Sequence, residues 1–102
     1  MKKYHIDRTD TAEEQLRNII LYYAQLSPAG ALRLLDAFED AIHGLEDFPE
    51  MGSYPRYASL RQRHFRVLVV EKYLVFYKIY PEKKRIIIHA IVDGRREYRN
   101  LI

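Results

Sequence analysis

The stretch HFRVLVVEKYLVFYKIYPEKKRIIIHAIV, residues 64–92, decides the fold. It divides into three runs rich in β-branched and aromatic residues, His64 to Val70, Tyr73 to Tyr80 and Arg85 to Val92. The breaks between them are short, Glu71-Lys72 and Pro81 to Lys84. Such runs between close turns read as strands, and close turns make consecutive strands antiparallel neighbours. Val67 to Val70 and Ile86 to Ile88 are continuously apolar rather than alternating. Strands of that kind are expected to be covered on both faces or nearly so.

Upstream of this block the pattern changes period. Lys3 to Arg8 alternates, with Tyr4 and Ile6 on one side and His5 and Asp7 on the other, which predicts a short half-buried strand. Thr11-Ala12-Glu13-Glu14 follows as a capping box, predicting a helix on which Ala12, Leu16, Ile19, Ile20, Tyr23 and Leu26 form one stripe. Ser27-Pro28 is a second start signal, a capping hydroxyl followed by a proline where no amide hydrogen is needed. Behind it Ala31, Leu35, Phe38, Ile42 and Leu45 repeat at helical spacing. Two helices with so short a link fold back on each other as an antiparallel hairpin. Phe48-Pro49-Glu50-Met51-Gly52 ends this region, and Ser53 to Gln62 reads as an ordered but irregular loop. Gly94 to Ile102 reads as a turn and a short helix. The expectation is one domain over residues 1–102, an α+β fold of order β-α-α-β-β-β with a helical hairpin on one face of a mainly antiparallel sheet. The other face, or its rim, is left for function.

Composition narrows the chemistry. The chain has 102 residues, 48% of them hydrophobic, and no cysteine, so it has no disulfide framework, thiolate metal site or cysteine nucleophile. Met1-Lys2-Lys3 is followed by Tyr4 to Arg8 where a secretory leader would need an apolar run, and no stretch approaches a membrane span. The expected location is the cytoplasm, with no membrane partner. Residues 1–50 carry 5 basic and 10 acidic groups, a charge of −5, while residues 51–102 carry 12 and 4, a charge of +8. The second half offers a positive field to an anion, or is a solvated surface balanced by the first half in space. Arginine outnumbers lysine there by 8 to 4, which favours bidentate recognition of an anion.

There is no Gly-rich phosphate loop, His-Glu-x-x-His helix or nucleophile elbow. His5, His43, His64 and His89 have no ligand spacing, so neither a metal site nor a cofactor is expected, and His64 stands out only for its arginine neighbours. Two basic clusters remain: Arg61, Arg63 and Arg66, and Arg95, Arg96 and Arg99 around Tyr98. Strand order sets Arg63 and Arg96 at opposite ends of the sheet, and only Arg66 could meet a tail that folds back. Such a grouping could run phosphodiester chemistry, arginines stabilising charge on phosphorus while Tyr98 or His64 moves a proton. Equally, the arginines could form a solvated rim or bind acidic residues of a protein.

In the order and spacing of Phe48 to Gly52, Leu60 to Arg66, Val67 to Ile79 and Val92 to Tyr98, the sequence resembles the RelE/ParE superfamily of type II toxins. That resemblance implies a growth-inhibiting toxin held inactive by a cognate antitoxin. The helical hairpin, the Phe-Pro-x-x-Gly loop and Val75-Phe76-Tyr77 resemble the ParE branch, whose members poison DNA gyrase and are not nucleases. Gly94-Arg95-Arg96-Glu97 is more similar to the RelE branch, which cleaves mRNA on the ribosome. By that likeness Arg66, Arg96 and Tyr98 are the expected catalytic residues of a metal-independent endoribonuclease. Arg61, Arg63, His64, Arg95 and Arg99 are the expected RNA or phosphate contacts. Leu68 and Leu74 stand where RNA-cleaving members often carry further basic residues. Ribosome-dependent mRNA cleavage is the leading expectation, with gyrase inhibition or a non-toxic antitoxin-binding module as the alternatives.

Overall fold

The computed structural model describes residues 3–102; Met1 and Lys2, part of the start read above as no leader, lie outside the described residues. The chain runs through β1 (His5–Arg8), α1 (Asp10–Leu26), α2 (Pro28–Gly44), α3 (Ala58–Gln62), β2 (Arg66–Val70), β3 (Tyr73–Tyr80) and β4 (Arg85–Asp93). Single turns of 3-10 helix lie at Pro81–Lys83 and Arg99–Leu101. The four strands form one sheet in the order β1-β4-β3-β2. β1 is parallel to β4 and the other pairs are antiparallel, giving the expected α+β order.

Ser27 is the whole link between the long helices. Its amide donates to the Tyr23 carbonyl (2.8 Å), closing α1, and its hydroxyl accepts from the Gly30 amide (3.0 Å), opening α2. The first helix start differs from the predicted box at Thr11. Thr9 is the cap, its hydroxyl accepting from the Ala12 amide and donating to the His89 carbonyl on β4, both at 3.1 Å. A cap that also satisfies a strand carbonyl holds the helix to the sheet, which Thr11, two residues further on, could not do.

The hairpin packs on one sheet face. Ala12, Leu16, Leu34, Phe38, Ile42 and Leu45 meet Leu68, Val75, Tyr77, Ile86 and Ile88 there, with Leu35 half-buried beside them. Each large apolar side chain fully withdrawn from water contributes about 1.5–3 kcal/mol, so this layer supplies most of the folding drive.

The second face is not left open as expected. Residues 53–62 are not all irregular: Ser53 forms a bridge with Val67, and Ala58–Gln62 is helical. Leu60 of α3, Phe65, Val67, Phe76, Ala90, Val92 and Tyr98 make a second buried cluster. β2 also starts later than predicted, at Arg66, because His64 takes a left-handed conformation (φ 67°) that breaks the run before Phe65.

Candidate functional site

Arg66, the first residue of β2, lies opposite Tyr77 of β3, so the two side chains share the hairpin-side face. Arg66 donates to the carbonyls of Glu50 (3.0 Å) and Gly52 (2.8 Å), and its guanidinium lies 4.6 Å from the Tyr54 ring centre. Burial works against its charge, but hydrogen bonding to Tyr54 and Tyr77 outweighs that, and its pKa is raised. Tyr77 donates to the Pro49 carbonyl (2.8 Å) and accepts from the Gly52 amide (3.0 Å). Its phenol is pushed up by burial, with the Gly52 amide and Arg66 pulling the other way. These four bonds tie residues 49–52 to the sheet.

Tyr98 is on the opposite face. Its ring packs 5.4 Å from Phe76 and 5.5 Å from Tyr57, and only 5% of it is exposed. Burial raises its pKa, with Tyr57 adding to the effect. Tyr98 is therefore a core residue, and the sheet itself separates it from Arg66. A phosphate held by Arg66 could not exchange a proton with the Tyr98 phenol in this arrangement.

The remaining expected contacts are spread out. Arg61 donates to the carbonyls of Pro55 (2.8 Å) and Arg56 (2.7 Å), which fixes the entry to α3. Arg63 lies over Phe65, 5.0 Å from the ring centre, and His64 is exposed in its turn. Arg95 grips Asp93 with two bonds of 3.2 and 3.1 Å and lowers that carboxyl to about 2. Arg99 does the same to Glu97 at 3.0 and 2.9 Å, lowering it to about 2, and lies 4.5 Å from the Tyr57 ring centre. Arg96 is exposed, and among the described residues its side chain has no hydrogen-bond or ion-pair partner.

Arg66 and the end of β4 lie at opposite ends of the sheet, but the tail folds back so that Arg99 over Tyr57 lies next to the Arg56 carbonyl that Arg61 holds. Tyr73 pairs with Asp93 at the tail end, whereas Arg66 pairs with Tyr77 and Tyr80 with Arg85 toward the other. Beside the tail, Arg96, Lys72, Tyr22, Tyr73 and Gln15 line a groove of about 480 Å³ between α1 and the end of β4. Gln15 closes its floor by accepting from the Ile91 amide (2.7 Å) and donating to the Leu101 carbonyl (3.3 Å).

The family profile described as the ParE toxin of type II toxin-antitoxin system, parDE, matches residues 6–98. The chain belongs to the ParE toxin family. It is thus a type II toxin of the RelE/ParE superfamily, and the likeness expected from residues 48–98 holds for this branch. No curated protein sequence matches this ParE-family chain. Among solved structures it is similar to a chain of the chromosomal ParDE system from P. aeruginosa, with a TM-score of 0.71 at 19% identity over 89% of this chain and 96% of that one. It is also similar to a chain of the RelBE2 toxin-antitoxin complex from Mycobacterium tuberculosis, with a TM-score of 0.61 at 20% identity over 91% and 93%. At these identities the likeness carries the fold. Among the described residues of the ParE-family chain, no helix is long and apolar enough to cross a membrane.

Sequence reasoning misses two features of this toxin. One is the buried Tyr77 phenol, whose partners lie in the 49–52 loop and cannot be inferred from strand spacing. The other is the neighbourhood of Phe65, where Lys78 and His89 join Arg63; β3 alternation places Lys78 on the second face, but nothing in the run Ile86 to Ile91 marks His89 as a bulge.

Proposed function

We propose that this ParE-family toxin inhibits growth by binding a protein target without cutting RNA, that the target is DNA gyrase, and that a cognate antitoxin neutralises it in the cytoplasm. The observation that supports this reading is the placement of Arg66 and Tyr98 on opposite faces of the sheet. Ribonuclease chemistry needs charge stabilisation and proton transfer at one phosphate. Here Arg66 Nη2 is held by the Glu50 and Gly52 carbonyls, and Arg95 and Arg99 are taken by carboxylates. Leu68 and Leu74 in place of further basic groups agree with that. The ParE membership favours gyrase, and the two similar structures come from toxin-antitoxin systems, which favours an antitoxin partner.

The deciding experiment is induction of the toxin in cells, with transcript ends mapped alongside supercoiling and double-strand breaks. Intact transcripts with gyrase-dependent breaks are expected. New mRNA ends at codon boundaries would overturn the reading in favour of ribosome-dependent cleavage, and unchanged growth would favour a non-toxic antitoxin-binding module. Co-purification with the product of an adjacent small acidic reading frame tests the antitoxin.

A further inference from the structure

β1 pairs with β4 only as far as Arg8 and Ile88, so among the described residues no strand lies beside the outer edge of β4 from His89 to Asp93. The first turns of α1 supply side chains there instead. The Thr9 hydroxyl donates to the His89 carbonyl (3.1 Å), and Gln15 Oε1 accepts from the Ile91 amide (2.7 Å). Gln15 Nε2 then donates to the Leu101 carbonyl (3.3 Å) in the last turn of the tail. One side chain thus joins α1, β4 and the tail.

Its two partners dictate the residue type. The Ile91 amide can only donate and the Leu101 carbonyl can only accept, so the bridge needs an acceptor and a donor side by side at the end of one side chain. A primary amide has both. A carboxylate of the same length would still serve Ile91 but would repel the Leu101 carbonyl, and an aliphatic side chain would serve neither. The bond to β4 and the bond to the tail can therefore be removed separately.

The tail is anchored earlier at Gly94, whose amide donates to the Lys72 carbonyl (2.9 Å), and at Tyr98, packed on Phe76 and Tyr57. Among the described residues the Gln15 bond is the one hydrogen bond that ties Arg99–Leu101 to anything outside the tail. It holds Leu101 as a wall of the groove that Arg96 and Tyr22 also line. Gln15, Ile19 and Tyr22 share one face of α1 at spacings of four and three, and Tyr22 is 60% exposed. Tyrosine and arginine are the side chains that carry most of the binding energy at protein interfaces.

We infer that Gln15 is a positioning residue for target binding: its amide holds the last turn of the tail as a wall of the groove in which Tyr22 and Arg96 meet the protein target. The inference rests on the proposed function in taking the target to be a bound protein, and it does not require that protein to be gyrase.

The test compares Gln15→Glu, Gln15→Leu and Leu101→Ala, singly and with Gln15→Glu and Leu101→Ala combined, in the full chain. Gln15→Glu keeps the acceptor for Ile91, so its unfolding midpoint should stay near that of the parent while the toxin level needed to arrest growth rises about tenfold. Gln15→Leu should lose as much potency and also unfold earlier, because it leaves the buried Ile91 amide unpaired. Leu101→Ala removes the wall itself, a half-exposed side chain, and should cost the same tenfold. The combined variant should lose no more than either single one, since both act through the same wall; a glutamine that only stabilised the fold would add its loss to that of Leu101→Ala. Parent potency in Gln15→Glu, or losses that multiply in the combined variant, would overturn the inference. Gyrase supercoiling in the presence of the parent chain is read separately. Growth arrest with supercoiling intact would remove the gyrase reading and leave Gln15 judged on growth, whereas a parent chain that does not arrest growth would overturn both.

Discussion

Arg66 and Tyr77, directly opposite each other on β2 and β3, clasp the same four-residue loop from the sheet. Tyr77 is fully buried, so its phenol satisfies the Gly52 amide and the Pro49 carbonyl where water does not reach. Gly52 itself is a close approach: a Cβ there would lie 2.6 Å from the Val67 carbonyl oxygen and 2.7 Å from the Tyr77 hydroxyl. The strand pair thus determines the path of the loop that carries exposed Phe48, Met51 and Tyr54.

Tyr77→Phe should therefore destabilise the protein by about 1–3 kcal/mol, the cost of leaving buried backbone groups unpaired. Gly52→Ala should also destabilise it, because neither the Val67 backbone nor the Tyr77 hydroxyl can give way without breaking a bond. Denaturant unfolding of the two variants and the parent measures both. Parent-like stability in Tyr77→Phe would mean that the phenol is dispensable to the loop.

Tyr98 offers a test in which stability and activity part company. Tyr98→Phe keeps the ring that packs on Phe76 and Tyr57, so growth inhibition and stability should both stay close to the parent. Tyr98→Ala should lose about 3–5 kcal/mol, in the range of large aromatic truncations, and toxicity should fall with the folded population. A Tyr98→Phe variant that folds normally but no longer inhibits growth would show that the hydroxyl takes part in chemistry.

How much of this was legible in the sequence follows the range of the forces involved. Ser27-Pro28 is readable because a cap is local, its donor Gly30 only three residues on. Thr9 is not readable in the same way, since its advantage over Thr11 comes from the His89 carbonyl, 80 residues away in the chain. The strands over 66–92 and their antiparallel turns follow from period and turn length, but the cover on the second face depends on where Leu60 and Tyr98 land. Tyr98 sits among arginines in sequence, which makes it resemble a catalytic group, while in space its neighbours are Phe76 and Tyr57. Arg66 and Arg96 were singled out by resemblance; which of them stays available depends on carbonyls at Glu50 and Gly52 that no spacing rule brings to Arg66.

The tail ion pairs give a pH dependence of known sign. Asp93 and Glu97 both have folded pKa values lowered to about 2 from ordinary values of 3.8 and 4.5, by hydrogen bonds from Arg95 and Arg99. A carboxyl whose folded pKa is depressed contributes stability above its unfolded value and loses it as pH falls through the folded one. The tail should therefore loosen between about pH 4.5 and pH 2, and less steeply in high salt, since both pairs are exposed and screened. Asp93→Asn with Glu97→Gln should flatten that part of the melting-temperature profile. An unchanged acid limb in the double variant would mean that these pairs do not couple to folding.

Arg96 is the tail residue most exposed to a test of function, because it borders the groove beside Lys72 and Tyr73 without a side-chain partner among the described residues. Removal of an exposed, unpaired side chain should change stability by no more than about 0.5 kcal/mol. If the tail groove is where this toxin grips its protein target, Arg96→Ala should weaken gyrase inhibition about tenfold, the loss of an interface arginine worth about 1.4 kcal/mol. Arg96→Ala with full gyrase inhibition would move the target surface away from the groove.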